Sequence, residues 1–303
     1  MRKYAPLLAL AALIVPGEFA CAATYYAIGG NNWTATSGYT LNADGSGGNP
    51  STFAGNVFYA NGKTVGTGTT SQSFLGDAFN LDTAGILNVR GTATGGATYT
   101  MSSLNVVGNS TIQSGQSNNV TATNLNIAGS TSLTLLDNRG SGSTQINDVV
   151  NLGFTSLTGS GNIQVVCQGT GPAGYTRVLE LTGASTSSAS TYTGNITFGA
   201  GSSGQKIEWL QFGTDNMKFG GGLIANSASS NRIILDKNVI LASATLDGVS
   251  LAKGTYTFAQ LNAAHDALFE DGYNGSITIA PEPAALSLLA GAGMALLMRR
   301  RHR

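Results

Sequence analysis

From Leu87 to Leu246 apolar side chains return at every second position in short runs, and small polar residues or glycine end each run. Three phrases show the pattern, "LNVRG" from Leu87, "LNVVG" from Leu104 and "LNIAG" from Leu125, with "VNLG" from Val150 as a weaker echo. The spacings are 17, 21 and 25 residues. Side chains two apart on a strand share a face, so Leu104 and Val106, or Leu125 and Ile127, point one way while Asn105 and Asn126 point the other. "SLTLL", "LTGSGNIQVV", "NITFGA", "KIEWLQF", "RIILD" and "NVILASATL" continue the rhythm, and no segment between Thr24 and Ser250 has helical periodicity.

Units of this length cannot bury their own apolar face, so stacking them is the economical solution. The pattern therefore predicts an all-β chain whose residues 23–250 form a right-handed parallel β-helix, a β-solenoid, each strand pairing with its counterpart in the next coil. A β-sandwich stays open as the alternative, because short strands with glycine-rich turns suit it too. The irregular spacing counts against the solenoid; recurrence near one coil length counts for it. Trp33, Tyr39, Phe53, Phe58 and Tyr59 are expected to form an N-terminal cap over the first coil. Residues 251–280 read as a small closing module: a hairpin, a short helix from about Phe258 to Leu268, and a last strand through Ile277 and Ile279.

Composition agrees with many short strands and turns. The 303 residues are 42% hydrophobic, enough to fill a core, but only 10% charged against roughly 25% in ordinary soluble domains. There are 42 glycines. The formal net charge is zero, yet six basic residues sit in the terminal segments. Between Ala23 and Ala280 nine basic and thirteen acidic side chains remain, a net of about −4. Nucleic acid is not an expected partner, since phosphate contacts need clustered Lys and Arg.

The two ends differ from the middle. "MRKYAPLLALAALIVPGEFACAA" has a basic head, an apolar stretch from Ala5 to Val15, a helix-breaking Pro16, and an A-x-A cleavage site at Ala20 and Ala22. Residues 1–22 are read as a secretory signal peptide delivered to the Sec translocon; the apolar stretch is too short for an anchor. A lipoprotein reading of Cys21 needs small or aliphatic residues before it, where Glu18 and Phe19 stand. Cleavage after Ala22 leaves Cys167, which alternates with Ile163 and Val165 along a strand and is expected to be a buried small hydrophobe. At the other end, Ala284 to Met298 is a mostly apolar run, roughly 22 Å long as a helix. The Arg299, Arg300, Arg301 and Arg303 cluster would stop it on the cytoplasmic side, leaving the body outside.

Pro281-Glu282-Pro283, then the apolar run, then the arginines, resembles the PEP-CTERM sorting signal of Gram-negative bacteria. The resemblance covers residues 281–303. It implies a transient inner-membrane anchor over residues 284–298, recognised by exosortase, a membrane-embedded cysteine protease, and removed on the way to the surface or exopolysaccharide matrix. The prolines suit that role, since they keep the stretch before the membrane extended. A permanent anchor is the alternative. The strand region also resembles autotransporter-type repeat passengers, with "STYTGNITFGAG" from Ser190 as the nearest phrase, and residues 251–280 resemble the module often found before PEP-CTERM signals.

Chemistry is sparse. Asp137, Asp148, Glu180, Glu208, Asp215, Asp236 and Asp247 are the carboxylates that a solenoid could align for glycoside cleavage, but they form no local cluster. His302 lies in the tail, and His265 in "NAAHDALFED" reads as an exposed helical residue, so no zinc set exists. No G-x-S-x-G elbow is present. "NADGSGGNP" has Asn42, Asp44 and Ser46 at alternate positions but Phe53 where a calcium loop closes on glutamate, so it reads as a turn. Trp209, Phe212 and Phe219 are assigned to core packing. The expectation is thus no catalytic residue, no metal and no cofactor: an exported, non-enzymatic envelope or matrix protein, associated with exopolysaccharide or another surface glycan, or with adhesion. The alternative is a carbohydrate-active β-helix enzyme, a polysaccharide lyase or hydrolase.

Overall fold

The computed structural model describes residues 22–30, 32–91, 96–114, 116–137, 147–167, 176–183, 191–199, 207–227 and 231–280, with backbone alone at 137, 147, 148, 167, 176, 177, 207 and 208. The signal segment up to Cys21, and residues 281–303 with the sorting motif, apolar run and arginines, lie outside them.

Parallel pairing dominates: strands far apart in sequence lie side by side, and the chain winds as a β-solenoid with three faces. A sandwich built from antiparallel hairpins is set aside. One face stacks Gln72–Ser73, the first halves of the long strands Ala97–Val106, Asn118–Ile127 and Asn147–Gly159, then Thr176–Thr182, Ile207–Phe212 and Asn231–Ile234. A second stacks Thr24–Ala27, Val57–Tyr59, Ala78–Leu81 and the second halves of the same long strands; farther along, Met217–Lys218, Asn238–Leu241 and Ser276–Ile279 continue it. The third runs from Thr64–Gly66 to Ser243–Leu246.

Each long strand serves two faces because it turns a corner. Ala122 pairs with Met101 and Phe154, Asn124 with Ser103 and Ser156, and the residue between is skipped. Alternation slips by one there: Val120, Ala122, Leu125 and Ile127 are all buried, while Thr123 and Asn124 both face out.

Inside, like stacks on like. Phe58, Phe79, Leu104, Leu125 and Leu157 form one registered row, all fully buried. Tyr99, Val120, Leu152, Leu181 and Phe212 form another. Val65, Leu87, Ile112, Leu135, Val165, Phe198, Ala225 and Leu246 form a third. Only the phrases from Leu104 and Leu125 are true counterparts. Leu87 belongs to the third face, and Val150 pairs with Asn118 and Leu179. A coil contains up to three similar strands, so a recurring phrase marks a strand rather than a particular face.

At the start, Trp33, Tyr39, Phe53 and Phe58 pack with Phe74 and Phe79, ring centroids 4.8–5.7 Å apart in the closer pairs. The polar handles are satisfied: Trp33 Nε1 donates to Gln72 Oε1 at 2.9 Å and the Tyr39 hydroxyl to Trp33 O at 3.0 Å. Burial pushes the Tyr39 phenol far above its usual pKa, keeping it a donor. Tyr59 differs from expectation. It points outward and stacks on Tyr26 at 5.5 Å.

At the far end the helix Phe258–Ala264 starts from a capping box in which Thr257 and Gln260 serve each other's backbone N–H. It stops earlier than Leu268, with His265 as its C-cap. Leu268 and Phe269 are buried, Phe269 bridges to Ile233, and Ser276–Ile279 pairs with Asn238–Leu241 on one side and, antiparallel, with Gly254–Thr257 on the other. No helix among the described residues is long and apolar enough to cross a membrane.

Candidate functional site: a polar groove on the first face

Because alternate side chains on a strand face out, the inward row of Tyr99 to Phe212 leaves two outward rows beside it on the first face. One runs Thr98, Asn119, Asn151, Glu180, Gln211; the other runs Ser73, Thr100, Thr121, Gly153, Thr182. These rows are ladders of amides and hydroxyls. Ser73 and Thr100 hydroxyls lie 2.7 Å apart, and Asn151 Nδ2 donates to Glu180 Oε2 at 2.7 Å and to Thr182 Oγ1 at 2.8 Å.

Gly153 interrupts the second row, and where its side chain is missing the sheet is concave. The groove encloses about 420 Å³ and crosses four strands. Thr98, Asn119 and Thr121 line one flank, Asn151, Thr182 and Gly183 the other. Phe154 and Thr155 close it at the corner of the coil. Gly183 makes room for the Phe154 ring, since a Cβ there would stand 2.6 Å from it. Among the described residues the lining contains no charged side chain. Among the described residues no hydrogen bond engages Thr121 Oγ1, Asn119 Oδ1 or Asn151 Oδ1, so polar capacity is left over.

Of the seven carboxylates weighed from the sequence, the fold places Glu180 on the first outward row and Asp236 within reach of the Gln211 amide. Glu180 pairs in register with Gln211, and Gln211 Nε2 donates to Asp236 Oδ2 at 3.2 Å. Lys237 Nζ also lies 3.4 Å from Asp236 Oδ2, while Asp236 Oδ1 is buried with no partner among the described residues. Asp236 lies two residues past Ile234, the register partner of Gln211, so it is offset along the chain from the row that holds Glu180. The others are not brought there. Asp215 accepts the Asn238 N–H at 2.9 Å in a turn, Asp247 sits in the hairpin turn after Leu246, and the side chains of Asp137, Asp148 and Glu208 lie outside the described residues, as does that of Cys167.

His265 is half-buried rather than exposed, its Nδ1 3.4 Å from Asp247 Oδ2. Burial pushes the Asp247 carboxyl up, but hydrogen bonds from Ser227 and His265 outweigh it and hold the group below the usual carboxylate range. A folded-state pKa below the unfolded one means that the contact stabilises the protein above about pH 4 and is lost as pH falls through the folded value. Asp247→Asn should therefore lower the melting temperature at pH 7, with the difference from wild type closing as pH falls below about 4; equal melting temperatures at pH 7 would remove the contact's role.

The calcium-like turn satisfies itself: Asp44 Oδ1 accepts the Ser46 N–H at 2.8 Å and Asn42 Nδ2 donates to Ser46 Oγ at 2.9 Å. No group of three or more His, Cys, Asp or Glu gathers among the described residues. Phe212 and Phe219 are core, but Trp209 is not. It lies on the outer face between Val178 and Arg232, half-buried, its indole N–H unpartnered among the described residues.

The groove residues themselves were not singled out by the sequence reading. Their signal is the polar half of "NNVTATNLNI" together with a glycine inside "VNLGFT". Compared with protein-family models, with curated proteins and with solved structures, the chain has no match in any of the three.

Proposed function

We propose that this is an exported, non-enzymatic protein of a Gram-negative cell surface or extracellular matrix, whose solenoid body associates with exopolysaccharide. The observation that carries the reading is the uncharged groove set in ladders of amides and hydroxyls, on a body so poor in charge. Such a surface offers many donors and acceptors of moderate strength and no focus for ions or phosphates. The address comes from the terminal segments: the signal peptide directs the chain to the Sec translocon, and the PEP-CTERM-like tail, with Pro281, Glu282 and Pro283 before the apolar run, presents it to exosortase.

A second reading is favoured by one observation, Glu180 in register beside Gln211, whose amide donates to Asp236. In it the same face cleaves a glycan, one acid protonating the leaving oxygen while the other activates water. Incubating the purified protein with the polysaccharide secreted by its own host separates the two. Co-sedimentation with no new reducing or unsaturated ends is expected. Steady release of such ends, abolished by Glu180→Gln or Asp236→Asn, would overturn the non-enzymatic reading.

A further inference from the structure

We infer that the groove around Gly153 is a binding site for an uncharged saccharide segment, an inference that rests on the glycan-associating reading above and assigns it a place and a chemical class. Three features converge. The first is shape: about 420 Å³ falls within the range of small-ligand sites, and four strands at about 4.8 Å span a length suited to a few sugar rings.

The second is the chemistry of the walls. Asn amides and Thr hydroxyls each donate and accept, as sugar hydroxyls do, and a ligand with vicinal hydroxyls can engage two ladder rungs at once. Thr121 Oγ1, Asn119 Oδ1 and Asn151 Oδ1 hold unused acceptor capacity, whereas Asn151 Nδ2 is fixed by Glu180 and Thr182, so its oxygen is held in place. Phe154 is core, 8% exposed, and contributes only a narrow apolar floor at the corner.

The third is charge. Among the described residues no cation lines the groove, so sulfated, phosphorylated or uronic polymers find no counter-ion there. Glu180 stands one strand away and repels them. The occupant is therefore neutral.

The test uses affinity electrophoresis of the full chain in gels containing dextran or galactomannan as neutral probes, and alginate or polygalacturonate as anionic ones. Gly153→Val fills the concavity. The position is mid-strand, a β-branched residue suits it, and the nearest contact of an added Cβ is the Thr121 hydroxyl at 3.1 Å, an exposed side chain that can turn away. Thr121→Val removes a hydroxyl at nearly constant shape and keeps the test decisive should the first variant misfold. Wild type should be retarded by a neutral probe and not by the anionic ones, with Gly153→Val or Thr121→Val weakening that at least about tenfold at unchanged melting temperature. Retardation of the folded variants equal to wild type, stronger binding of alginate, or no neutral binding at all would overturn the inference. If the host polysaccharide still co-sediments in those cases, the broader reading survives; if it does not, that reading falls as well.

Discussion

Replacing Gly159 with alanine should leave little or no folded protein. This residue ends the longest strand at φ +99°, in the left-handed half of the map, where a side chain costs about 1–2 kcal/mol by itself. The larger cost comes from the neighbouring coil. A Cβ on Gly159 would lie 1.9 Å from the carbonyl oxygen of Ile127, its register partner. That oxygen cannot retreat cheaply, because it accepts the Gly161 N–H at 3.1 Å, while Gly159 O accepts from Thr193 at 2.9 Å. Relieving the clash would separate two coils, exposing Ile127 and Leu157, both fully buried. The combined cost should exceed about 4 kcal/mol, a large share of a typical stability of about 5–15 kcal/mol. Gly48→Ala, with open space around it and no positive φ, is the control and should be within about 0.5 kcal/mol of wild type. Soluble yield and thermal melting followed by circular dichroism measure both. A Gly159→Ala protein that melts like wild type would contradict the coil contact at this corner.

The same corner shows what the sequence made legible. Alternation in "LNVVG" and "LNIAG" identifies strands and their inward sides, and Leu104 does stack on Leu125 with Asn105 beside Asn126. Alternation is a property within one strand, so it cannot say which face a strand joins. Leu87 and Leu104 look alike yet lie on different faces, and Phe79-Asn80-Leu81, which resembles them less, is the segment that stacks under Leu104-Asn105-Val106. The fold class was therefore readable and the register was not.

The groove was illegible for a related reason. Asn119, Thr121 and Asn151 are ordinary outward residues until coils of 21 and 32 residues, Asn105 to Asn126 and Asn126 to Thr158, bring them side by side. Gly153 matters only because Thr121 and Thr182 flank it across the ladder. Gln211 comes beside Glu180, 31 positions back, and donates to Asp236, 25 positions on, in the same way. Trp209 was misplaced because "KIEWLQF" offers two apolar sets at opposite parity, and the core takes Leu210 and Phe212. His265 is half-buried because the hairpin carrying Asp247 comes against the end of its helix, a contact between segments that no local pattern encodes.

Deleting residues 281–303 should change where the protein goes while sparing what it is. If the apolar run from Ala284 to Met298 is a transient anchor, its free energy of membrane burial holds the exported body at the inner membrane while exosortase acts. The run is roughly 22 Å long as a helix against a hydrocarbon thickness of about 30 Å, so it holds with the help of flanking residues, and the arginines stop it from slipping through. On that reading, translocation of the truncated chain would proceed without a segment to retain the body. The truncated protein should appear soluble in the periplasm and be lost from the cell surface. Its melting temperature should match that of the mature wild type, because the described solenoid closes at Ser276–Ile279. On the same reading, replacing Pro281 and Pro283 by alanine separates anchoring from processing: alanines would favour helix in the stretch a protease would hold, so uncut protein should accumulate in the inner membrane. Fractionation with mass spectrometry of the C-terminal peptide reads both outcomes. A truncated protein that reaches the surface as the full chain does would defeat the sorting role. Mature surface protein that still carries Ala284 to Met298 would make the anchor permanent.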